Sequence, residues 1–306
     1  MKEKFEDINF RESSRVLIQQ ADKIIKEYQA RGFTLTLRQL YYQFVSRDII
    51  ANKQTEYKRL GKIVNDARVA GLLDWSAIED RTRNVKRPNV WRSPEAIIRA
   101  VADQYQEDPW IGQEFRPEVW IEKDALVGVI ESICEERRVP FFACRGYVSQ
   151  SEAYDAGKRF QRVINGGQRP LVLHLGDHDP SGLDMTRDID QRLYRFAGMN
   201  VEVRRLALNM DQIDEYGPPP NPAKDTDARF EGYQDEFGDS SWELDALDPT
   251  VISDLIETEL SGVIEWEKWD AAMATEESNK EDLSRTSVYW SDVKDFVRQL
   301  EEDDSN

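Results

Sequence analysis

Two cysteines and two histidines in 306 residues leave little material for soft-metal or thiol chemistry. Cys134 and Cys144 make neither a disulfide framework nor a metal-ligand spacing. No apolar run approaches the roughly 20 residues needed to cross a bilayer. The opening MKEKFEDINF is charged from the start and lacks the apolar core of a secretory leader. No glycine-rich P-loop, no ATPase module and no internal repeat is visible. These absences point to a cytoplasmic protein with no membrane partner and no nucleotide-hydrolysing machinery of its own. What remains is an ordinary 40% of hydrophobic residues, enough for one large or two ordinary domains.

Charge is abundant and unevenly spread. The net charge is −18, which at first argues against a polyanionic partner. Residues 1–100, however, hold 20 Lys and Arg against 13 Asp and Glu, a balance of +7. Residues 101–205 carry −4, and residues 206–306 carry −21. A basic first third can dock nucleic acid while the acidic end faces solvent or protein.

The first hundred residues have helical periodicity. Residues 15–30 carry apolar side chains at helical spacing, with Gly32 as a stop signal. Thr36 is positioned to cap LRQLYYQFVSR, and a third helix is expected over about residues 57–73. With the basic tail RTRNVKRP, this predicts a helix-turn-helix or winged-helix module. From Pro117 the period changes. EVWIEK, PFFACRG, PLVLHLGD and VEVRRLAL are short β-branched or aromatic runs, separated by helical stretches at 125–137, 151–164 and 183–196. Strands alternating with helices predict a parallel α/β sheet covered on both faces. After Asn209 the pattern loosens, and helices are expected over about 249–269 and 287–300. The domain expectation is therefore 1–100 for the DNA-binding module, 101–250 for the α/β domain and 251–306 for an acidic helical extension.

In such a sheet ligands gather at the carboxyl ends of the strands. Three ends carry informative residues: Glu122 after the first, Arg145-Gly146 after the second, and Gly176-Asp177-His178-Asp179-Pro180-Ser181-Gly182 after the third. Two carboxylates at i, i+2 can point the same way, and Glu122 can face them from a neighbouring strand. An all-oxygen set of Glu122, Asp177 and Asp179 suits Mg²⁺, with Mn²⁺ as a substitute. The plain alternative is that Asp-x-Asp caps the following helix beside a solvated neighbour. His174 is expected to pack in the strand and His178 to be exposed. Ser151 is a candidate helix cap, and Trp242-Glu243-Leu244-Asp245 reads as a surface turn.

VWIEKDAL followed by LHLGDHDPSGLDM resembles the Toprim domain of topoisomerases, primases and nucleases. Its Asp-x-Asp-Pro-x-Gly form is most similar to the A subunit of type IIB topoisomerases (topoisomerase VI) and the related meiotic double-strand-break protein. The resemblance implies Mg²⁺ held by Glu122, Asp177 and Asp179, with Glu122 as an alternative general acid/base for the leaving 3′ oxygen. Arg38-Gln39-Leu40-Tyr41-Tyr42 matches that family's nucleophile motif and implies Tyr42 as attacker. By helical period Leu37, Leu40, Tyr41, Phe44 and Val45 form the apolar stripe, while Tyr42 falls off it one turn after Arg38. The Arg38 guanidinium would then stabilise a phenolate or bind the scissile phosphate. A metal site can instead activate water, leaving Tyr42 without a chemical role.

Lys58, Lys62 and Asn65 share one face of the third helix and are candidate DNA contacts. Arg81, Arg83, Lys86 and Arg87 would add contacts to phosphates, and so would Arg145. The segment 146–152 lacks the basic, glycine-rich form expected of type IIB A subunits. The expectation is thus a Toprim, Rossmann-like α/β domain behind a winged helix, cutting DNA with Mg²⁺ as a homodimer. A strand-passing topoisomerase would need a separate ATPase subunit, so a standalone endonuclease is the simpler case. The alternative from another class is a DNA-binding or regulatory protein whose acidic cluster is structural.

Overall fold

The computed structural model describes residues 2–78, 88–223 and 225–303, the side chains of 302 and 303 excepted. Three helices come first: α1 (Glu12–Gln29), α2 (Leu37–Ser46) and α3 (Gln54–Val69). The predicted cap is present. Thr36 accepts from the Gln39 amide while the Gln39 side chain accepts from the Thr36 amide, so two otherwise unpaired N–H groups are satisfied. Leu17, Ile18, Ala21, Ile24, Ile25 and Tyr28 form the buried face of α1, and they pack with Leu40, Phe44, Leu60 and Val64 of the next two helices. Residues 81, 83, 86 and 87, invoked above as phosphate contacts, lie outside the described residues.

Next come α4 (Pro94–Gln104), β1 (Phe115–Ile121), α5 (Val127–Glu136), β2 (Phe141–Ala143), α6 (Gln150–Asn165), β3 (Arg169–Leu175), α7 (Pro180–Ala197) and β4 (Glu202–Ala207). The four strands form one parallel sheet in the order β2-β1-β3-β4. This is the alternating pattern the sequence predicts, and the chain is α/β. One face of the sheet packs Trp120 and Val172 against Phe160 of α6 and Ile189 and Leu193 of α7. Right-handed crossovers that run in opposite directions from β1 and β3 place α5 on the other face. Val129, Ile130 and Ile133 of α5 are buried accordingly.

The last hundred residues are more helical than their composition suggests. They contain α8 (Met210–Tyr216), α9 (Phe230–Phe237), a two-residue pairing of β5 (Asn221–Pro222) with β6 (Ser240–Ser241), α10 (Pro249–Val263), α11 (Trp266–Val288) and α12 (Trp290–Asp303). The expectation of a loose segment after Asn209 misses α8 and α9. The expected break before 287 is likewise replaced by one 23-residue helix, α11. Its charged residues form i, i+4 pairs such as Lys280–Glu276 and Arg285–Glu281, which support a helix of weak amphipathicity. No helix among the described residues is long and apolar enough to cross a membrane.

The chain forms two compact units. One holds residues 1–84 with 116–262, and the other holds 85–115 with 263–306. In the first, the helical segment and the sheet have separate hydrophobic clusters, and the segment before α10 packs against the helices. Tyr28 donates to Asp248 at 2.6 Å just before α10, and Ala246 packs among the side chains of α1 to α3. In the second, Trp110 meets Trp269 edge-on at 5.7 Å, and Glu276 accepts the Glu107 amide at 2.8 Å.

The α6–α7 contact depends on one missing side chain. A Cβ at Gly157 would lie 2.4 Å from Phe196 Cβ and 2.9 Å from the Phe196 carbonyl carbon. Gly157→Ala is expected to cost about 1–3 kcal/mol through overpacking, read as a lower urea midpoint at unchanged slope. An unchanged midpoint would show that α7 shifts freely.

Candidate functional site

The order β2-β1-β3-β4 creates a switch point between the two central strands. The chain leaves β1 toward β2 on one side and leaves β3 toward β4 on the other, so a crevice opens at their carboxyl ends. Glu122 directly follows β1 and Gly176 directly follows β3. Their backbones are still paired there, with the Glu122 amide donating to Leu175 O at 2.8 Å. Glu122 is turned toward the opposite loop, and its Oε2 accepts the Asp177 amide at 2.9 Å. Asp179 caps α7, with Oδ1 accepting from Gly182 N–H at 2.7 Å and Ser181 Oγ at 2.9 Å. The plain N-cap role thus holds for Asp179, and all three acids follow the carboxyl ends of β1 and β3.

The loop 176–182 is held from beneath by Arg205 of β4. Its guanidinium donates to the carbonyls of Gly182, Gly176, Asp177 and Leu208 and to Thr186 Oγ1, at 2.7–3.2 Å. Burial lowers its pKa only to about 10, so it stays charged at neutral pH. The turn is tight enough that a Cβ at Gly182 would lie 2.2 Å from the Asp177 carbonyl oxygen. Side-chain reasoning overlooked Arg205, although two consecutive arginines inside the otherwise apolar VEVRRLAL were a signal.

A second group missed in the sequence is Lys123 with Glu243 and Asp245. The Lys123 ammonium stands 2.9 Å from Asp177 Oδ1, 2.5 Å from Asp245 Oδ1 and 3.1 Å from Glu243 Oε2. Residues 242–245 are therefore no surface turn. His178 and Trp242 exchange backbone hydrogen bonds at 2.8 and 2.9 Å, the Leu244 amide donates to Asp177 Oδ1 at 2.8 Å, and Asp245 is only 2% exposed. His178 is buried as well, contrary to expectation, with Nδ1 2.9 Å from Tyr233 OH and its ring edge-on to Phe237. Burial drops its pKa to about 4. His174 packs as expected, fully buried and bonded to Thr186 Oγ1 at 2.8 Å. The cap of α6 is Ser149 rather than Ser151.

The same ion network reaches α2. Arg38 pairs with Glu243 and lies 2.6 Å from Asp245 Oδ2. Although burial opposes it, Lys123 and Arg38 hold the Glu243 carboxyl down to about 2. The Arg38 guanidinium lies 5.8 Å from the Tyr42 ring centroid. Tyr42 is not half-exposed as its place off the stripe suggests. It is 4% exposed, because residues 221 and 243 cover that side of α2. Burial, with Glu243 beside it, pushes its hydroxyl up to about 12, and Arg38 only partly opposes this. The phenol is therefore held protonated, and the arginine expected to serve it is occupied by carboxylates.

Glu122 and Asp177 shift the same way. Burial raises both carboxyls; Lys123 pulls each down, while each has another acid nearby that adds to the rise. The oxygen-only donors fit Mg²⁺ in kind. As they stand, no group of three acid, histidine or cysteine side chains among the described residues is placed to hold an ion. Lys123 sits on the Asp177 oxygen that such an ion would approach.

The remaining candidates lie outside this crevice network. Lys58, Lys62 and Asn65 are exposed on α3, with Lys62 paired to Asp66 at 2.8 Å. Arg145 is exposed and 3.0 Å from Asp124. Comparison with protein-family models and with curated proteins finds no match for this chain.

Replacing Arg205 with Met removes the charge and strands several loop carbonyls. The expected loss is about 3 kcal/mol or more in urea unfolding. A loss under about 1 kcal/mol would mean that the loop is held by its own turn.

Proposed function

We propose that this chain is a Toprim-like, Mg²⁺-dependent endonuclease acting on DNA, with α1 to α3 as a winged-helix-like module that presents the strand. The observation that carries the reading is the placement of Glu122, Asp177 and Asp179 at the carboxyl ends of β1 and β3, on either side of the switch point. A bound Mg²⁺ or Mn²⁺ would be held by Asp177 and Asp179 with Glu122, and would supply Lewis-acid stabilisation of the charge that develops on the phosphate.

The chain's own residues divide the rest of the work. In the alternative where Asp177 and Asp179 alone hold the ion, Glu122, whose carboxyl burial raises, would pass a proton to the leaving 3′ oxygen. Asp177 is oriented by the Leu244 amide and Lys123. Water is the attacking oxygen in this reading, supported by the enclosure of Tyr42 and by the carboxylates that engage Arg38. The exposed Lys58, Lys62 and Asn65 face of α3 and Arg145 supply phosphate contacts. Each site cuts one strand, so double-strand breaks require a homodimer. Strand passage would require a separate ATPase subunit.

One observation favours a second reading, a DNA-binding regulator with a structural acidic cluster: Lys123 already neutralises Asp177 without a metal. Incubating supercoiled plasmid with the protein and Mg²⁺ or Mn²⁺ separates the two. Nicking that EDTA stops and Asp177→Ala lowers by about 100-fold or more supports the enzyme. Binding without nicking supports the regulator. Tyr42→Phe is expected to cut at the parent rate, with no protein attached to DNA ends after denaturation. A covalent adduct that this substitution removes would restore tyrosine as the attacker.

A further inference from the structure

Beside the Tyr42 hydroxyl lies a second cavity, of about 280 Å³, that the cleavage chemistry does not use. It is lined by Tyr41, Tyr42, Tyr57, Asn52, Gln54 and Asn221, with the Arg38–Glu243 pair at its wall. An apolar cavity of roughly 150 Å³ already takes a benzene ring, so this one has room for a heterocycle of one or two rings. Its walls are aromatic: Tyr41 stands edge-on to Tyr42 and to Tyr57, with centroids 5.3 Å apart in both pairs.

The polar groups narrow the ligand class. Asn52 is saturated: it donates to Asn221 Oδ1 at 2.9 Å and to Pro220 O at 3.2 Å, and accepts from Tyr41 OH at 3.0 Å. It therefore positions its neighbours. The Gln54 amide and the Tyr57 hydroxyl make no hydrogen bond among the described residues and line the cavity. Arg38, its one cation, is neutralised by Glu243 and Asp245, so an anion has nothing to bind. A purely apolar ligand would leave the Gln54 amide and the Tyr57 hydroxyl without a partner inside the cavity. A neutral planar ring with donors and acceptors on its edge satisfies both conditions.

We infer that this cavity takes one unstacked nucleobase of a nucleic-acid strand, stacked against the tyrosine rings and read along its edge by Gln54 and Tyr57. Amide side chains pair with base edges, and aromatic rings replace the lost stacking. α3 begins at the cavity with Gln54 and Tyr57 and continues into the exposed Lys58 and Lys62, so the phosphates flanking the base have cations to follow. The inference rests on the reading of the chain as a nucleic-acid enzyme and adds a subsite to it.

The test uses the full chain in EDTA, so that cutting plays no part. Single-stranded oligonucleotides carrying 5-iododeoxyuridine are crosslinked by ultraviolet light and the attached peptide is mapped. Affinities are measured for the same oligonucleotide, for its ribonucleotide counterpart and for an abasic strand of equal length and charge. Attachment to Tyr57 or Tyr41 is expected. The abasic strand, and the exposed-site variant Gln54→Ala against the normal strand, are expected to bind about fivefold or more weakly. Whether the deoxy or ribo strand binds better identifies the sugar. Equal binding of abasic and normal strands, or crosslinks mapping only outside residues 38–57, would overturn the subsite. Plasmid nicking sensitive to Asp177→Ala would survive that failure, so the two readings fall separately.

Discussion

The Lys123 ammonium lies within about 3 Å of three carboxylates that come from two distant stretches of chain, Asp177 from the β3 loop and Glu243 and Asp245 from the segment before α10. Burial works against its charge, yet the three acids keep it protonated. A half-buried ammonium gains from such company, because paired charge offsets the desolvation it suffers. The pairing consequently fixes where 242–245 must lie. That segment then orients Asp177 through the Leu244 amide, engages Arg38, and helps close over Tyr42. Removing the lysine would leave a cluster of buried acids with no reason to stay together.

The network also explains why the two chemical candidates, the acid triad and the tyrosine, are not independent. Arg38 joins the same carboxylates as Lys123, so any cation that draws Asp177 away redistributes charge as far as α2. Electrostatic balance is shared across the crevice and the tyrosine-lined cavity. A second cation, the half-buried Arg205, supports the loop from the opposite side through its backbone carbonyls. Lys123 sets the charge of the site, and Arg205 sets its shape.

Local signals made much of this legible. The Thr36 cap, the three N-terminal helices and the four strands with the three helices between them each depend on neighbours within a few residues, and they appear close to their expected bounds. The placement of Glu122, Asp177 and Asp179 at strand ends followed from the same alternation. Helices α8 and α9 did not, because proline and charge around them mask short apolar faces that matter only once Tyr233 has His178 to pack against. Tyr42 was misjudged for a related reason: helical period tells which side of a helix faces its nearest core, and not what later chain folds over the other side.

By itself the sequence determined the alternation of strands and helices, the caps, and three acids at strand tips, because these are set by periodicity and by short-range hydrogen bonding. Only the tertiary structure decided that β1 and β3 lie side by side with the switch point between them. It also decided that Lys123 stands among Asp177, Glu243 and Asp245, and that Tyr42 is enclosed. Those outcomes depend on contacts between residues as many as 205 positions apart, such as Arg38 with Glu243. Charge pairing across such separations is chosen by which surfaces must be buried together, a quantity no local pattern encodes.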